Sequence, residues 1–247
     1  MRRTDLVPIR RARLLSEVPK SELIRMLAPS FAQSLPEGAV LCRQGEKPEF
    51  LHVVVAGRVG LFGERGSDEA LIEILGPGDA CIVPAVVLNM PALLTARMLD
   101  EGRILMWPAA AFRDQVRSNV TLAYGAMLQL CGYWRMLISQ LKDLKLLSAT
   151  QRLSNLLLSL APRERGPVRV TLPGNRPLVA GLLGVAPQSL SRAFAALRPL
   201  GVSGGGREIA IADMVCLHAF AARPNIKPTS RRKGRKTARS RRTSARE

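Results

Sequence analysis

Between residues 123 and 144, Ala123, Met127, Leu130, Trp134, Leu137, Leu141 and Leu144 recur at intervals of 4-3-4-3-4-3. That period is the a/d seam of a coiled coil, carried without interruption over three heptads and part of a fourth. A helix over residues 119–147 would run about 42 Å at the standard rise, longer than a small domain needs to close its core. Tyr124, Leu128, Cys131, Met136 and Ile138 give it a second apolar face. The spacing therefore predicts a helix packed on its own domain along one face and on a second copy of the chain along the other. A single long helix buried within one subunit is the alternative.

Upstream, a helix is expected from Leu14 to Leu27, ending before Pro29. From Pro36 the texture changes. AVLCRQGEKP, FLHVVVAGRVGLFGERGSD, ALIEILGPGDA and LLTARMLDEGRILMWP alternate short apolar runs with Gly and Pro. Such punctuation predicts antiparallel strands of a small roll or barrel. Gly38, Gly45, Gly57, Gly76 and Gly78 would serve its turns, where a positive φ or close approach is needed.

Downstream, Ser148-Ala149-Thr150-Gln151 has the form of a capping box. A fresh helix is expected from Ala149 to before Pro162, which makes the Leu147–Ser148 junction a candidate hinge. A strand at Val168–Leu172 and a helix at Arg176–Leu183, capped by Asn175, follow. After a turn at Gly184 a second helix opens at Pro187. GVSGGGREIAIAD then supplies a glycine-rich loop and a short strand, and Asp213 caps a last helix. A helix-turn-helix followed by a hairpin is a winged arrangement. The domain plan is thus 1–118 for N-terminal helices and a sensor roll, 119–147 for a dimerisation helix, 148–222 for a winged helix-turn-helix, and 223–247 for a basic tail too polar to fold alone. The fold class is α+β.

The second helix of that pair has an odd composition. In NRPLVAGLLGVAPQSLSRAFAALRPLGV, Leu178, Val179, Leu182 and Leu183 form the inner face of the first helix, and Ala180 and Gly181 let the second approach. Val185 fills the turn, and Leu190, Phe194 and Leu197 face inward. That leaves Gln188, Ser189, Ser191, Arg192 and Ala195 pointing outward. Pro187 occupies the first turn, where a missing amide costs nothing. A recognition helix meets base edges with its N-terminal half. There Gln pairs with adenine, Arg grips guanine through two acceptors, and Ser reaches phosphate or base. An ordinary exposed helix is the alternative, against which the glycine-rich wing and the charge weigh.

That charge is +18 over 247 residues. Residues 224–247 hold ten Lys or Arg and one acid, and the remaining residues hold 27 bases and 18 acids. Both portions suit a polyanion. The tail offers no apolar face to a membrane, so nucleic acid is the expected partner, and the groove-reading helix with its glycine-rich wing makes that double-stranded DNA. No run approaches the roughly 18–20 apolar residues of a membrane span. The basic N-terminus (Arg2, Arg3, Arg10, Arg11, Arg13) is not followed by an apolar stretch or small-residue cleavage site, so a secretory signal is rejected and a cytoplasmic setting expected. Cys42, Cys81, Cys131 and Cys216 form no Cys-x-x-Cys pair, which argues against zinc, an iron–sulfur cluster or a disulfide framework. His52 and His218 are the only histidines, too few for a metal-dependent enzyme on such a roll. No catalytic constellation is evident.

Roll, long helix, helix-turn-helix and wing, in this order, resemble the Crp–Fnr family of bacterial transcription regulators over about residues 20–222. FLHVVVAGRVGLF with the later LGPGDA, ISQLKDLKLLSATQRLSNLLL, and GLLGVAPQSLSRAFAALRPLGV carry the resemblance, and Leu190-Ser191-Arg192 is its most diagnostic element. Within the family the chain resembles the branch controlling denitrification and nitric-oxide responses more than the cyclic-AMP branch. The resemblance implies a cupin-like roll of the cyclic-nucleotide-binding-domain type. It also implies a homodimer on a palindromic site of the TTGAT–ATCAA type, with RNA polymerase as a further partner if the protein activates. Arg192 matches the family's guanine-contacting arginine and Ser191 the serine beside it. Gln188 falls where many relatives carry a Glu that accepts from cytosine, which leaves the half-site preference open.

Members that bind cyclic AMP use a Glu for the ribose and an Arg before a small hydroxylated residue for the phosphate. In GDACIVPAVVLNMPALLTARML, Pro84 stands at the first position and Leu94, before Thr95, at the second, with Arg97 shifted out of place. That argues against cyclic AMP. The cysteine cluster of the oxygen-sensing branch is missing, with no Cys before Cys42. Haem remains as a cofactor candidate, needing an apolar cleft and an axial ligand. His52 is the sensor region's only His, and Met127, Trp134 and Met136 lie on the long helix. Two plainer readings stay open: a protein that senses nothing directly, and a ligand-binding or scaffold protein that no longer reads DNA. If there is a signal, the sequence places its action at the cleft between roll and dimer helix, with the Leu147–Ser148 hinge reorienting the DNA-binding domains.

Overall fold

Short apolar strands parted by glycine turns each have a face to bury, and here they bury it in two facing layers. The computed structural model describes residues 6–162 and 166–223. It begins with α1 (Leu6–Arg11), a 3-10 turn (Arg13–Leu15) and α2 (Lys20–Met26). The single helix expected over Leu14–Leu27 is therefore broken. Pro19 lies at the break, where its ring disfavours the helical conformation for Val18 and it has no amide to donate.

Next come β1 (Phe31–Leu35), β2 (Val40–Cys42), β3 (Phe50–Ala56), β4 (Val59–Arg65), β5 (Asp68–Leu75), β6 (Ala80–Cys81), α3 (Val83–Leu88), β7 (Thr95–Met98) and β8 (Gly102–Pro108). Two four-stranded sheets, ordered β1-β8-β3-β6 and β2-β7-β4-β5, make the roll, and their pairings are antiparallel. Val54, Cys81 and Ile104 of the first sheet meet Val59, Leu61, Ala96 and Met98 of the second in the interior. The turn between β3 and β4 needs a glycine on two counts. Gly57 has φ +80°, and a Cβ there would stand 2.8 Å from the Gly102 Cα. Gly38, Gly45 and Gly78 also take positive φ, whereas Gly76 does not.

The outer face of the first sheet carries Leu51, Val53, Val55, Leu105 and Trp107. It is covered by the N-terminal segment and by α4 (Ala109–Ser118) and α5 (Val120–Leu146). Asn119 starts α5 by accepting from the Leu122 amide at 2.8 Å. The roll side of α5 is a stripe of Leu122, Gly125, Ala126 and Gln129. A Cβ on Gly125 would overlap the Leu14 carbonyl oxygen, so small residues set how closely the helix approaches. Of the side chains expected to make this second face, Tyr124, Cys131 and Ile138 are instead exposed. A search for bulky apolar residues overlooks a contact made by small ones. Met127, Trp134, Leu137, Leu141 and Leu144 of the heptad seam stand exposed, while Ala123 and Leu130 are half-buried.

The chain continues through α6 (Ala149–Leu160), β9 (Val168–Thr171), α7 (Arg176–Leu182), α8 (Pro187–Leu197), a 3-10 turn (Arg198–Leu200), β10 (Val202–Gly205), β11 (Glu208–Ile211) and α9 (Met214–Ala221). The capping box at Ser148 forms: Gln151 N donates to Ser148 Oγ at 3.3 Å, and Ser148 N to Gln151 Oε1 at 3.0 Å. The sheet β10-β11-β9 closes a core of Leu153, Leu157, Val179, Leu190, Leu197, Ile209 and Leu217. The fold is thus an antiparallel roll, a long helix and a winged helix-turn-helix. Among the described residues no single helix is long and apolar enough to cross a membrane. The basic tail, from residue 224, lies outside the described residues.

Candidate functional site

Asn175 caps α7 by accepting from the Leu178 amide at 3.1 Å. Gly184, at φ +59°, turns the chain, with Val185 N donating to Ala180 O at 3.0 Å. The helix through α8 then leaves α7 at 94°, within the range of helix-turn-helix motifs. Leu190, Ala193 and Leu197 anchor α8 in the core. Phe194 is half-buried beneath the Arg176 guanidinium, 3.5 Å from the ring centroid.

With the apolar stripe anchored, Gln188, Ser191 and Arg192 are exposed on the first turns of α8, and Ser189 is half-buried. Ser191 Oγ donates to the Pro187 carbonyl at 3.2 Å, a local bond easily exchanged for an outside partner. The β10–β11 hairpin turns at Gly206 and Arg207, and the exposed Arg207 donates from Nε to Leu172 O at 3.2 Å. Residues 148–222 hold eight Arg, no Lys and three acids, so the charge of the motif is positive.

The motif is seated on the rest of the chain. Gly181 does not open room for α8, as its spacing suggests. It faces β5, where a Cβ would stand 3.0 Å from Leu71 N. Arg58 Nη1 donates to Pro173 O at 2.7 Å, while its Nε and Nη2 grip Asp100 at 2.6 and 2.7 Å. That hydrogen-bonded pair holds the Asp100 carboxyl below its usual range.

A cavity of about 330 Å³ lies between the roll and α5. Leu61, Ile72 and Glu73 line it from the second sheet, Pro84, Ala85 and Leu88 from α3, Leu93 and Leu94 from the following loop, and Tyr133, Met136 and Leu137 from α5. Ile72 and Glu73 are adjacent yet both reach it because the ladder slips: Leu61 pairs with Glu73 and Phe62 with Leu71, leaving Ile72 as the extra residue of a bulge. Left-handed Ile82 and Asn89 bracket α3. Glu73 Oε2 accepts from Gln140 Nε2 at 2.7 Å and Oε1 from Ile74 N at 3.1 Å. Burial pushes the Glu73 carboxyl upward. The Tyr133 hydroxyl donates to Ala80 O, and burial raises it too. Glu73 and its clasp with Gln140 were missed by motif reading, although an acid inside ALIEIL was a visible anomaly.

Pro84 and Leu94 sit on the cavity wall, but Thr95 is buried and accepts from Gln44 N at 2.9 Å. Arg97 is off the wall, paired with Glu69 at 2.7 Å and lying 4.1 Å from the Phe62 ring centroid. His52 does not reach the cavity. It pairs with Cys81 and Met106 in the first sheet and is 1% exposed. Among the described residues neither ring nitrogen has a hydrogen-bond partner, and burial pushes its pKa down to about 4. The described lining residues include neither His nor Cys, so the residues present do not fit a haem held by His52. Among the described residues no group of three or more His, Cys, Asp or Glu is placed to hold a metal ion. Cys42 and Cys81 are buried, with both thiols pushed up chiefly by burial; Cys131 and Cys216 are exposed.

Two family models match: the cyclic nucleotide-binding domain over residues 32–119 and the Crp-like helix-turn-helix domain over residues 151–220. A solved structure from Ruegeria pomeroyi DSS-3, provisionally described as a cyclic nucleotide binding protein, is 28% identical with a TM-score of 0.62, covering 88% of this chain and 97% of its own. One from Silicibacter pomeroyi DSS-3, provisionally described as a cAMP-binding regulatory protein, is 27% identical with a TM-score of 0.62, covering 90% and 100%. A mutant of CooA from Carboxydothermus hydrogenoformans shares the fold, at 18% identity and a TM-score of 0.68 over 80% of this chain and 90% of its own. No curated protein matches the chain.

Proposed function

Because the chain belongs to the Crp–Fnr family of transcription regulators, we propose that it works as a homodimer reading a palindromic duplex, with an effector acting through the cleft between roll and α5. The observation that carries this is the N-terminal half of α8: polar, exposed, and fixed from beneath by Leu190, Ala193 and Leu197. Arg192 grips a guanine, Gln188 pairs with a neighbouring base, and Ser189 and Ser191 reach base or phosphate. The exposed seam on α5 zips two copies together, so that two such helix tips meet successive major grooves. The basic residues beyond 223 add sequence-independent attraction to phosphate, which salt screens. RNA polymerase is a further partner if the outcome is activation, and the setting is cytoplasmic.

The effector reading rests on shared elements. β5 supplies Ile72 and Glu73 to the cavity and Leu71 to the seat of α7, while α5 supplies both Met136 to the cavity and the seam to the partner. A ligand that shifts either element biases where the DNA-binding motif sits.

Selection from a randomised duplex pool tests the function. Recovery of an inverted repeat bound by a dimer is expected. Recovery of no preferred sequence would leave the other reading, a ligand-binding or scaffold roll that does not read DNA.

A further inference from the structure

We infer that the cavity between the roll and α5 takes a small uncharged apolar molecule, and not a nucleotide or another anion. The inference rests on the effector reading above and names the ligand class of that site.

The wall is aliphatic on all sides, from Leu61 and Ile72 of the sheet to Leu88 of α3 and Met136 of α5. Its two polar side chains are already engaged. Tyr133 donates to Ala80 O, and the Glu73 carboxyl accepts from Gln140 and Ile74. The nearby guanidinium of Arg97 is held by Glu69 and Phe62, off the wall. A phosphate or carboxylate entering here would lose its water, meet no cation among the described lining residues and face the Glu73 carboxyl. Burying a charge without a partner is strongly unfavourable, and a like charge in a poorly solvated site adds to the penalty.

An apolar molecule meets none of these costs. The volume is at the small end for ligand pockets, which are mostly apolar with a few placed polar groups. At the mouth, Leu88, Met90 and Leu93 are 64%, 54% and 85% exposed. Glu73 also gives the wall a means of response, because its partner Gln140 lies one turn further along α5 than Met136.

The test uses the full chain and N-phenyl-1-naphthylamine, an uncharged dye that brightens in apolar surroundings. Saturable binding at one dye per chain is expected. Naphthalene should displace it at least tenfold more effectively than 1-naphthoate or the permanently charged 1-naphthyltrimethylammonium ion, and cyclic AMP should not displace it. Ala85→Phe, which fills the cavity, should weaken dye binding at least tenfold. Leu88→Arg, at an exposed rim position, should move the preference toward 1-naphthoate, and it keeps the test alive if the filled variant does not fold. Absence of saturable dye binding, or displacement by cyclic AMP or 1-naphthoate as effective as by naphthalene, overturns the inference. Operator binding is measured on the same samples. Intact operator binding without dye binding defeats the ligand class alone. Dye binding of the expected selectivity that leaves operator affinity unchanged upholds the ligand class and defeats the effector reading.

Discussion

Arg58 Nη1 lies 2.7 Å from the Pro173 carbonyl oxygen, joining the β3–β4 turn of the roll to the segment that leads into α7, across 115 residues of chain. Asp100 holds the same guanidinium through Nε and Nη2, so the donor is aimed before α7 docks. Beside it, Gly181 rests on the Leu71 backbone. Polar tether and close packing together seat the helix-turn-helix.

Arg58→Met keeps the aliphatic stem and removes the tether. Both charged partners are about a third exposed, with side-chain exposures of 28% and 36%, so the loss should be about 1 kcal/mol. Hydrogen exchange of the α7 amides should accelerate roughly fivefold on that basis. Unchanged protection would mean that packing on β5 alone seats the motif.

Gly125→Ala should destabilise the protein, against helix propensity, which favours Ala by about 1 kcal/mol. The new methyl would overlap the Leu14 carbonyl oxygen, and overpacking of this kind costs about 1–3 kcal/mol. Gly132→Ala is the control. Its methyl meets only the far end of the Arg13 side chain, so it should be neutral or stabilising. Urea unfolding midpoints moving in opposite directions would bear this out.

His52 carries a pH dependence. Its folded pKa is lowered by burial from 6.5 to about 4, so between these values the unfolded chain binds a proton that the folded chain does not. Stability is therefore complete above pH 6.5, falls as pH drops toward 4 and levels below it, for a total of roughly 3 kcal/mol at 1.36 kcal/mol per unit. His52→Leu should remove that component. The difference in unfolding free energy between the two proteins, measured from pH 7.5 to 4, should change by about that amount in favour of the variant. A constant difference would show that His52 does not titrate on unfolding.

Arg192→Ala should cost about 1–3 kcal/mol per half-site against the selected operator, while binding to random duplex changes little. Fluorescence anisotropy with both duplexes at fixed salt measures it. Equal affinity of variant and parent for the operator would remove Arg192 from base reading.

Leu141→Glu places a carboxylate on the exposed seam of α5, where Leu141 is 48% exposed in the single chain. Two copies would then bury like charges against each other at an a-type layer. Sedimentation should show monomers at concentrations where the parent is a dimer, with an unchanged circular dichroism spectrum. A dimeric variant would move the interface off this seam.

Much of this architecture is readable without coordinates because it is written in local patterns. The heptad over 123–144, the Ser148/Gln151 box and the apolar stripe of α8 each follow from spacings within a turn or two of chain. Other features are not local. Bulky side chains predict the second face of α5, but Gly125 and Ala126 make the contact because Leu14, far away in sequence, comes close. The spacing places Gly181 against α8, yet it meets Leu71. His52 is the sensor region's only His, yet it is enclosed within the roll, and nothing in its strand says which face the sheet will close over.

Periodicity and capping act over a few residues, so the long helix, the helix starts after Ser148, Asn175 and Asp213, and the outward placement of Gln188, Ser191 and Arg192 are legible in the chain alone. That Ile72 and Glu73 both reach one cavity, that Gln140 clasps Glu73 and that Arg58 binds Pro173 follow only from how distant segments pack. These depend on a ladder slip and on chain segments 67 and 115 residues apart meeting in space, relations that no local pattern encodes.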